Sequence, residues 1–415
     1  MTAMEPLAAF QALGTEEGRQ DPYPYYEALR THGNLVPLKK GSLIAVGYDE
    51  CARALREPKL QVQDGTAFDK VYPEWRTHSS VCAFTDSMLY SNPPKHGRQR
   101  RTVSSDFAAQ QVVHLRPIIE DMATRLLDRV AGLGADGSTV DIMEEFASRL
   151  PIAVIGAMLG FDEDRLVWYR DVASQIAVST DGFTNPNALA IADAAMDELA
   201  EHFEELIARR RGCPMPDMVS DLIQLHDTDS ERLSHDELIG NMMLLLTAGF
   251  ETTAFLIGHG ALMAIERPEY AERLRTEPDF AGSYVEEILR FEPPVHVTSR
   301  WATADVNLFG QAIPTGSRVV LILAAGNRDP RRYPDPNRFD PDRPNSQPLS
   351  FGAGPHFCLG AALARLEASI VLPMLANRFP RMALTEPATY RDRWVIRGLK
   401  TFPVATEPIA KGQAA

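Results

Sequence analysis

The chain has 415 residues, 45% of them hydrophobic, and a formal net charge of −14. That apolar share is enough for a large core. The acidic balance argues against nucleic acid or an anionic membrane surface as a general partner. Four cysteines (Cys51, Cys82, Cys213, Cys358) lie far apart with no C-x-x-C pair, which fits a reducing cytoplasm without disulfides or structural zinc. Residues 1–22 have no basic leader and no long apolar run, so neither a secretion signal nor a membrane anchor is expected.

In chain order, the first strand signal is NLVPLKKGSLIAVG (34–47), two short apolar runs around a Lys-Lys-Gly turn. NPPKHGRQRR (92–101) has two prolines that start a helix, on which His96 and Arg100 are four apart and share a face. Arg98 and Arg101 fall on another face, where a local basic patch is expected on an otherwise acidic chain. DGFTNPNALA (181–190) reads as a mobile lid turn. Most of the chain between 93 and 291 reads as amphipathic helix.

The longest helix is expected within 234–268. Ser234 and Glu237 form an S-x-x-E capping box at its start, and Pro268 marks its end. Its apolar run is long enough for a membrane span, but Glu251 and His259 interrupt it and no basic flanks follow. A buried core helix is therefore expected. Within it, AGFETT (248–253) places a glycine, a glutamate and two threonines where an apolar rod tolerates them poorly. Thr252 can bond back to the carbonyl four residues earlier, which is expected to loosen the helix locally.

VEEILR sets Glu287 and Arg290 one turn apart, by itself an ordinary intrahelical ion pair. A second strand region follows over 300–324, with turns at Phe309-Gly310 and 314–316. The two strand regions are expected to pair into one small mixed sheet.

FGAGPHFCLG (351–360) carries the chemistry. Cys358 precedes a helical run with Leu359, Leu363, Leu366 and Ile370 along one face. A helix N-terminus favours a thiolate through its dipole and free N–H groups. Gly352, Gly354 and Gly360 let the backbone turn tightly and approach a large flat ligand. One thiolate without a second sulfur cannot make a four-coordinate zinc site; it suits an iron whose other ligands come from a macrocycle. A lone cysteine is usually structural, but the spacing F-G-x-G-x-H-x-C-x-G weighs against that here.

This stretch resembles the haem-thiolate signature of the cytochromes P450, and matches elsewhere extend the resemblance over nearly the whole chain. It implies one catalytic unit over 1–415, mainly α with a small β-rich subdomain, a long central helix over the haem, and a helical core at 93–291 and 358–377. Cys358 would ligate the iron of haem b, with Phe351, Gly352, Gly360, Ala248 and Gly249 against the cofactor. His96, Arg100, Arg300 and His356 would hold its propionates. Asn92 stands where the family usually has aspartate, and asparagine also caps helices well. Glu251 and Thr252 would form an acid–alcohol proton relay. Glu287 and Arg290 would lock to Arg338 of PNRF, with Arg343 as the alternative; AAGNRDP and FDPDRP match the family's meander.

The activity implied is hydroxylation or epoxidation of an apolar small molecule with O2. Electrons would come from NAD(P)H through a ferredoxin and ferredoxin reductase, in a bacterial-type cytoplasmic enzyme needing neither membrane nor nucleic acid. The chain looks most like members that tailor polyketides, macrolides among them. Pocket walls are expected from 71–90, 175–190, 242–252, 294–298 and 397–401. The alternatives are a haem protein that binds a ligand or gas without turnover and a peroxide-driven variant. The intact Glu251–Thr252 pair argues against both.

Overall fold

The computed structural model describes residues 4–39, 41–181 and 186–406. Lys40 of the first turn and the 182–185 part of the expected lid turn lie outside the described residues. The two strand-rich regions meet in a five-stranded sheet. Its strands are β1 (Leu35–Lys39), β2 (Ser42–Ala45), β3 (Leu60–Gln61), β4 (Val297–Ala302) and β5 (Arg318–Ile322), in the order β1-β2-β5-β4-β3. β2 and β5 run parallel with Leu43 opposite Val319; the other pairs are antiparallel.

Strand side chains alternate between faces. Leu43, Ala45, Val319 and Leu321 join one apolar cluster with Cys51 and Leu55. Ile44, Val46, Val320 and Ile322 join another with Tyr26 and Leu29. Cys51 is thus a core residue, and burial pushes its thiol well up. Phe309 and Gly310 adopt φ values of 51° and 84°, giving the tight turn expected between 306–308 and 311–313.

The helices that position the site are α1 (Ser79–Asp86), α2 (Lys95–Arg101), α3 (Arg149–Leu159), α4 (Leu166–Ala177), α5 (Pro186–Gly212), α6 (His235–Glu266), α7 (Phe280–Phe291) and α8 (Ala361–Arg378). α6 has 32 residues, about 48 Å at 1.5 Å per residue. Its capping box forms as expected: Glu237 N donates to Ser234 Oγ at 3.3 Å, and Ser234 N donates to Glu237 Oε2 at 3.1 Å. The helix is apolar enough to cross a membrane, but 83% of its most apolar stretch is buried inside the fold. α1, α3, α4 and α8 pack around it. α8 begins at Ala361, three residues past Cys358, because the cysteine belongs to the loop that closes in front of it.

Candidate active site

The cysteine loop is held by its own backbone. Cys358 N donates to Phe351 O at 2.8 Å. Gly352 sits at φ 68°, ψ −159°, a region open only to glycine. Gly354 has φ 72°, and a Cβ there would lie 2.6 Å from the Leu55 carbonyl oxygen. Burial pushes the Cys358 thiol up, while the Gly360 N–H and the charges of Arg100 and Arg365 oppose that shift.

Beside this loop two arginines and two histidines gather, all of them hydrogen-bond donors. The rings of His96 and His356 lie 4.1 Å apart. Arg300 is 5% exposed, and among the described residues its hydrogen bonds go to Thr298 Oγ1 and the Ser299 carbonyl. Burial holds its guanidinium down at about 10. Burial and the charges of His96, Arg300 and Arg100 hold His356 down at about 3. Burial, then Arg100, lowers His96. Among the described residues no carboxylate perturbs any of these four groups. Buried cations without a counter-anion are costly. The donor set therefore fits a dianionic ligand, and a porphyrin's two propionates supply that charge next to a free cysteine.

The central helix opens toward one side here. Between Gly240 and Met263 every residue of α6 is buried except Ala248, Gly249 and Thr252. These lie at i, i+1 and i+4, one face of the helix. α6 runs through 248–253 without a break, so the expected loosening is absent from the backbone. Thr252 Oγ1 does donate back to Ala248 O at 3.0 Å. Gly249 is also required by packing, since a Cβ would lie 2.9 Å from Ile155 of α3.

Glu251 points the other way. It is 2% exposed, and its two oxygens accept from Arg391 Nη1 at 3.2 Å and Arg393 Nη1 at 2.9 Å. Arg393 also donates to the Ala177 carbonyl at the end of α4. Glu251 and Thr252 are adjacent in sequence, but their functional groups are bound to different partners. Both arginines escaped the sequence reading. The only signal was a pair two apart in the turn between Thr389–Tyr390 and Leu399–Thr401.

Four expectations need correction. The Glu287–Arg290 pair forms with both side chains at most 1% exposed, but its arginine partner is Arg343, at 3.8 Å from Glu287 Oε1. Arg338 gives only its carbonyl, to Arg290 Nη2 at 3.0 Å, and its side chain is 68% exposed. Phe339 takes the inward position in the core, so its neighbour Arg338 turns out. Asn92 does not cap α2: its side chain bonds Val62 N, Val62 O and Asp64 Oδ2, tying α2 to the strand side instead. Arg98 is no free surface cation. It binds both oxygens of Glu237, at 2.7 and 2.6 Å, because the capping glutamate of α6 faces α2. Arg397 is no cavity wall either: it is buried and donates to Glu292 Oε1 at 2.7 Å.

Fold and donor set together are those of a haem-thiolate oxygenase. The family model described as Cytochrome P450 matches residues 181–281 and 280–387. Cytochrome P450 monooxygenase PikC of Streptomyces venezuelae is 37% identical over 416 residues, covering 97% of this chain and 95% of that protein. 6-Deoxyerythronolide B hydroxylase of Saccharopolyspora erythraea is 35% identical over 403 residues, covering 94% and 98%. The crystal structure of P450BioI in complex with acyl carrier protein ligated to hexadec-9Z-enoic acid superposes with a TM-score of 0.86. It is 31% identical and covers 94% of this chain and 99% of that one. The chain belongs to the cytochrome P450 family; it is a monooxygenase that uses haem iron and O2 on an apolar substrate, with electrons from redox partners.

Proposed function

We propose that the chain, as a single catalytic unit in the cytoplasm, hydroxylates or epoxidises a bulky apolar metabolite of the polyketide or macrolide class. Electrons come from NAD(P)H through a ferredoxin and its reductase. The observation that carries the cofactor assignment is the cluster of His96, Arg100, Arg300 and His356 beside Cys358, two arginines and two histidines, buried or half-buried, with no carboxylate among the described residues acting on them. The substrate class rests on similarity to PikC and to a hydroxylase named for 6-deoxyerythronolide B.

When bound, haem supplies the oxygen-activating iron. Cys358 would hold the iron through its thiolate, and Phe351, Gly352 and Gly360 shape the loop that would let the cofactor approach. Arg100 and Arg300, with His96 and His356, would orient the propionates. Ala248 and Gly249 keep the α6 face low enough for a flat ring, and Thr252 holds a hydroxyl proton on that same face. Glu251, whose oxygens accept from Arg391 and Arg393, can relay a proton to Thr252 only after its carboxyl turns away from them and takes that proton up from solvent. A relay group at this place favours turnover over simple ligand binding, which needs no proton relay.

An acidic ferredoxin fits the Cys358 side of the molecule. Phe357 is 42% exposed there. A largely apolar groove of about 470 Å³, lined in part by Val112, Val113, Val285, Ala362 and Leu366, opens beside α8. Arg101 is exposed on α2. The test is the ferrous–CO spectrum with an NAD(P)H-driven assay using a surrogate ferredoxin and reductase. Cys358→Ala is expected to lose the red-shifted Soret band. Thr252→Ala is expected to keep it but to release more hydrogen peroxide and less product. A wild-type band in Cys358→Ala overturns the ligation; unchanged product yield in Thr252→Ala overturns the relay.

A further inference from the structure

Glu251 is held by one short stretch of chain, the turn 391–398, and that turn is fixed from three sides. It lies close against α6 because residue 398 is glycine: a Cβ there would lie 2.0 Å from Cγ of Phe255, one helical turn after Glu251. It is paired with the link between α7 and β4, since His296 N donates to Val395 O at 2.9 Å and Arg397 N donates to Pro294 O at 2.7 Å. The Arg397 side chain then donates to Glu292 Oε1 at 2.7 Å and to the carbonyls of Arg19 and Gln20 near the N-terminus. The turn also closes on itself, with Arg391 N donating to Gly398 O and Arg393 N donating to Arg391 O, both at 2.9 Å.

Both arginines that reach Glu251 therefore start from a fixed backbone, yet their side chains are not equivalent. Arg393 is 9% exposed. It donates to Glu251 Oε2 at 2.9 Å with one Nη and to the Ala177 carbonyl at 3.0 Å with the other. Arg391 is 34% exposed and reaches Oε1 at the longer distance of 3.2 Å. Burial lowers the Arg391 guanidinium and Glu251 opposes that shift; the other charges acting on it are Arg393 and Arg170, which disfavour it, and Glu144, which favours it. Glu144 is exposed and lies in the turn Met143–Ala147. A second carboxylate thus acts on Arg391 from the open side of the site. A partly exposed ion pair contributes little, whereas a buried charge-assisted one resists removal.

We propose that the turn 391–398 is a clamp with unequal jaws that sets proton delivery: Arg391 releases Glu251 first, toward water and Glu144, while Arg393 fixes the point from which the carboxyl swings to Thr252 and to which it returns. This rests on the reading above that Glu251 serves Thr252. The proton comes from solvent on the side that Arg391 uncovers. It binds Glu251 Oε1 and passes to Thr252 Oγ1 as that hydroxyl gives up its own proton. The carboxylate left behind then re-forms its pair with Arg391. Neither arginine touches the reacting atoms, so Arg391, Arg393 and Arg397 are positioning residues.

The test uses the full chain with Arg391→Gln, Arg391→Lys, Arg393→Gln and Arg393→Lys. In the haem-free protein, double-mutant cycles with Glu251→Gln are read as urea-unfolding equilibrium constants. The coupling to Arg393 is expected to be about tenfold or more, and the coupling to Arg391 about threefold or less. In the haem-loaded protein, NAD(P)H oxidation with a surrogate ferredoxin and reductase is compared in H2O and D2O, and hydrogen peroxide is counted per NAD(P)H; neither readout needs an identified substrate. Arg391→Gln is expected to lower the H2O/D2O rate ratio and leave the peroxide share unchanged. Arg393→Gln is expected to raise both. Arg391→Lys should match wild type, whereas Arg393→Lys should match Arg393→Gln, because a point charge does not reproduce a planar fork shared between a carboxylate and a carbonyl. Equal couplings in the haem-free cycles, or rate ratios that move in the same direction in both Gln variants, overturn the clamp. If Glu251→Gln changes neither the ratio nor the peroxide share, the relay reading fails and the clamp with it. Should Arg393→Gln not fold, Arg393→Lys carries the same comparisons.

Discussion

The Glu287–Arg290 cluster and the His96–Arg100–Arg300–His356 cluster are both rich in cations and largely withdrawn from water, yet their charges balance in opposite ways. In the first, Arg290 donates to both oxygens of Glu287, to Pro336 O and to Arg338 O, and Glu287 also accepts from Asp340 N at 2.7 Å. Every partner comes from the chain itself. In the second, two arginines and two histidines face one another with no carboxylate among the described residues pulling on them. A self-satisfied ionic knot is a structural device; buried arginines without a carboxylate, beside histidines held neutral, need an anionic ligand to complete them. The difference separates scaffold from site without reference to any relative.

The largest effect comes from breaking the satisfied knot. Arg290→Leu leaves Glu287 buried without its main partner, and removal of one member of a buried pair costs about 3–5 kcal/mol. The loss is expected in the haem-free and the haem-loaded protein alike, read as a lower urea midpoint in both. A midpoint that drops only in the loaded form would move this cluster from scaffold to site.

A smaller experiment sharpens the same point. Arg343 is 8% exposed and faces Glu287, whereas the Arg338 side chain faces solvent. Arg343→Ala is expected to cost about 1–3 kcal/mol. Arg338→Ala should stay within about 0.5 kcal/mol of wild type. Equal losses from the two would contradict the assignment of Arg343 as the partner.

That pair also shows what a sequence discloses. FGAGPHFCLG is legible because each requirement of a thiolate loop is local: glycines at forced backbone angles, a cysteine ahead of a helix, a histidine two residues before it. The capping box of α6 is local too. The sheet was legible at one remove, since turn residues delimit its strands. Which of two nearby arginines turns inward was not legible, because Phe339 decides it by occupying the core. Arg391 and Arg393 could not be linked to Glu251 across some 140 positions, for the contact exists only after the C-terminal turn folds back against α6.

The smallest effect is the most discriminating, because its sign reverses. Arg300 is a buried cation whose partners among the described residues are neutral oxygens. Arg300→Met removes that uncompensated charge while keeping much of the volume, so the haem-free protein is expected to gain about 1 kcal/mol. The haem-loaded protein should lose a propionate partner, with affinity for haem falling about tenfold or more. The histidine beside it reports the same change by titration. His356 is held at about 3 in the folded, haem-free chain, below the ordinary value of about 6.5. The unfolded chain therefore binds more protons between these limits. Stability falls as pH drops from about 6.5 and stops falling from this cause near pH 3. Without the Arg300 charge the folded value rises, so the acid-induced loss becomes smaller and ends at a higher pH. Bound propionates should push His356 in the same direction. Histidine titration by NMR on the haem-free pair, with urea midpoints from pH 7 to pH 4, checks both signs. A haem-free Arg300→Met protein that is less stable than wild type, with His356 unmoved, would mean that Arg300 is already satisfied by the chain and that this cluster, like the Glu287 knot, is scaffold.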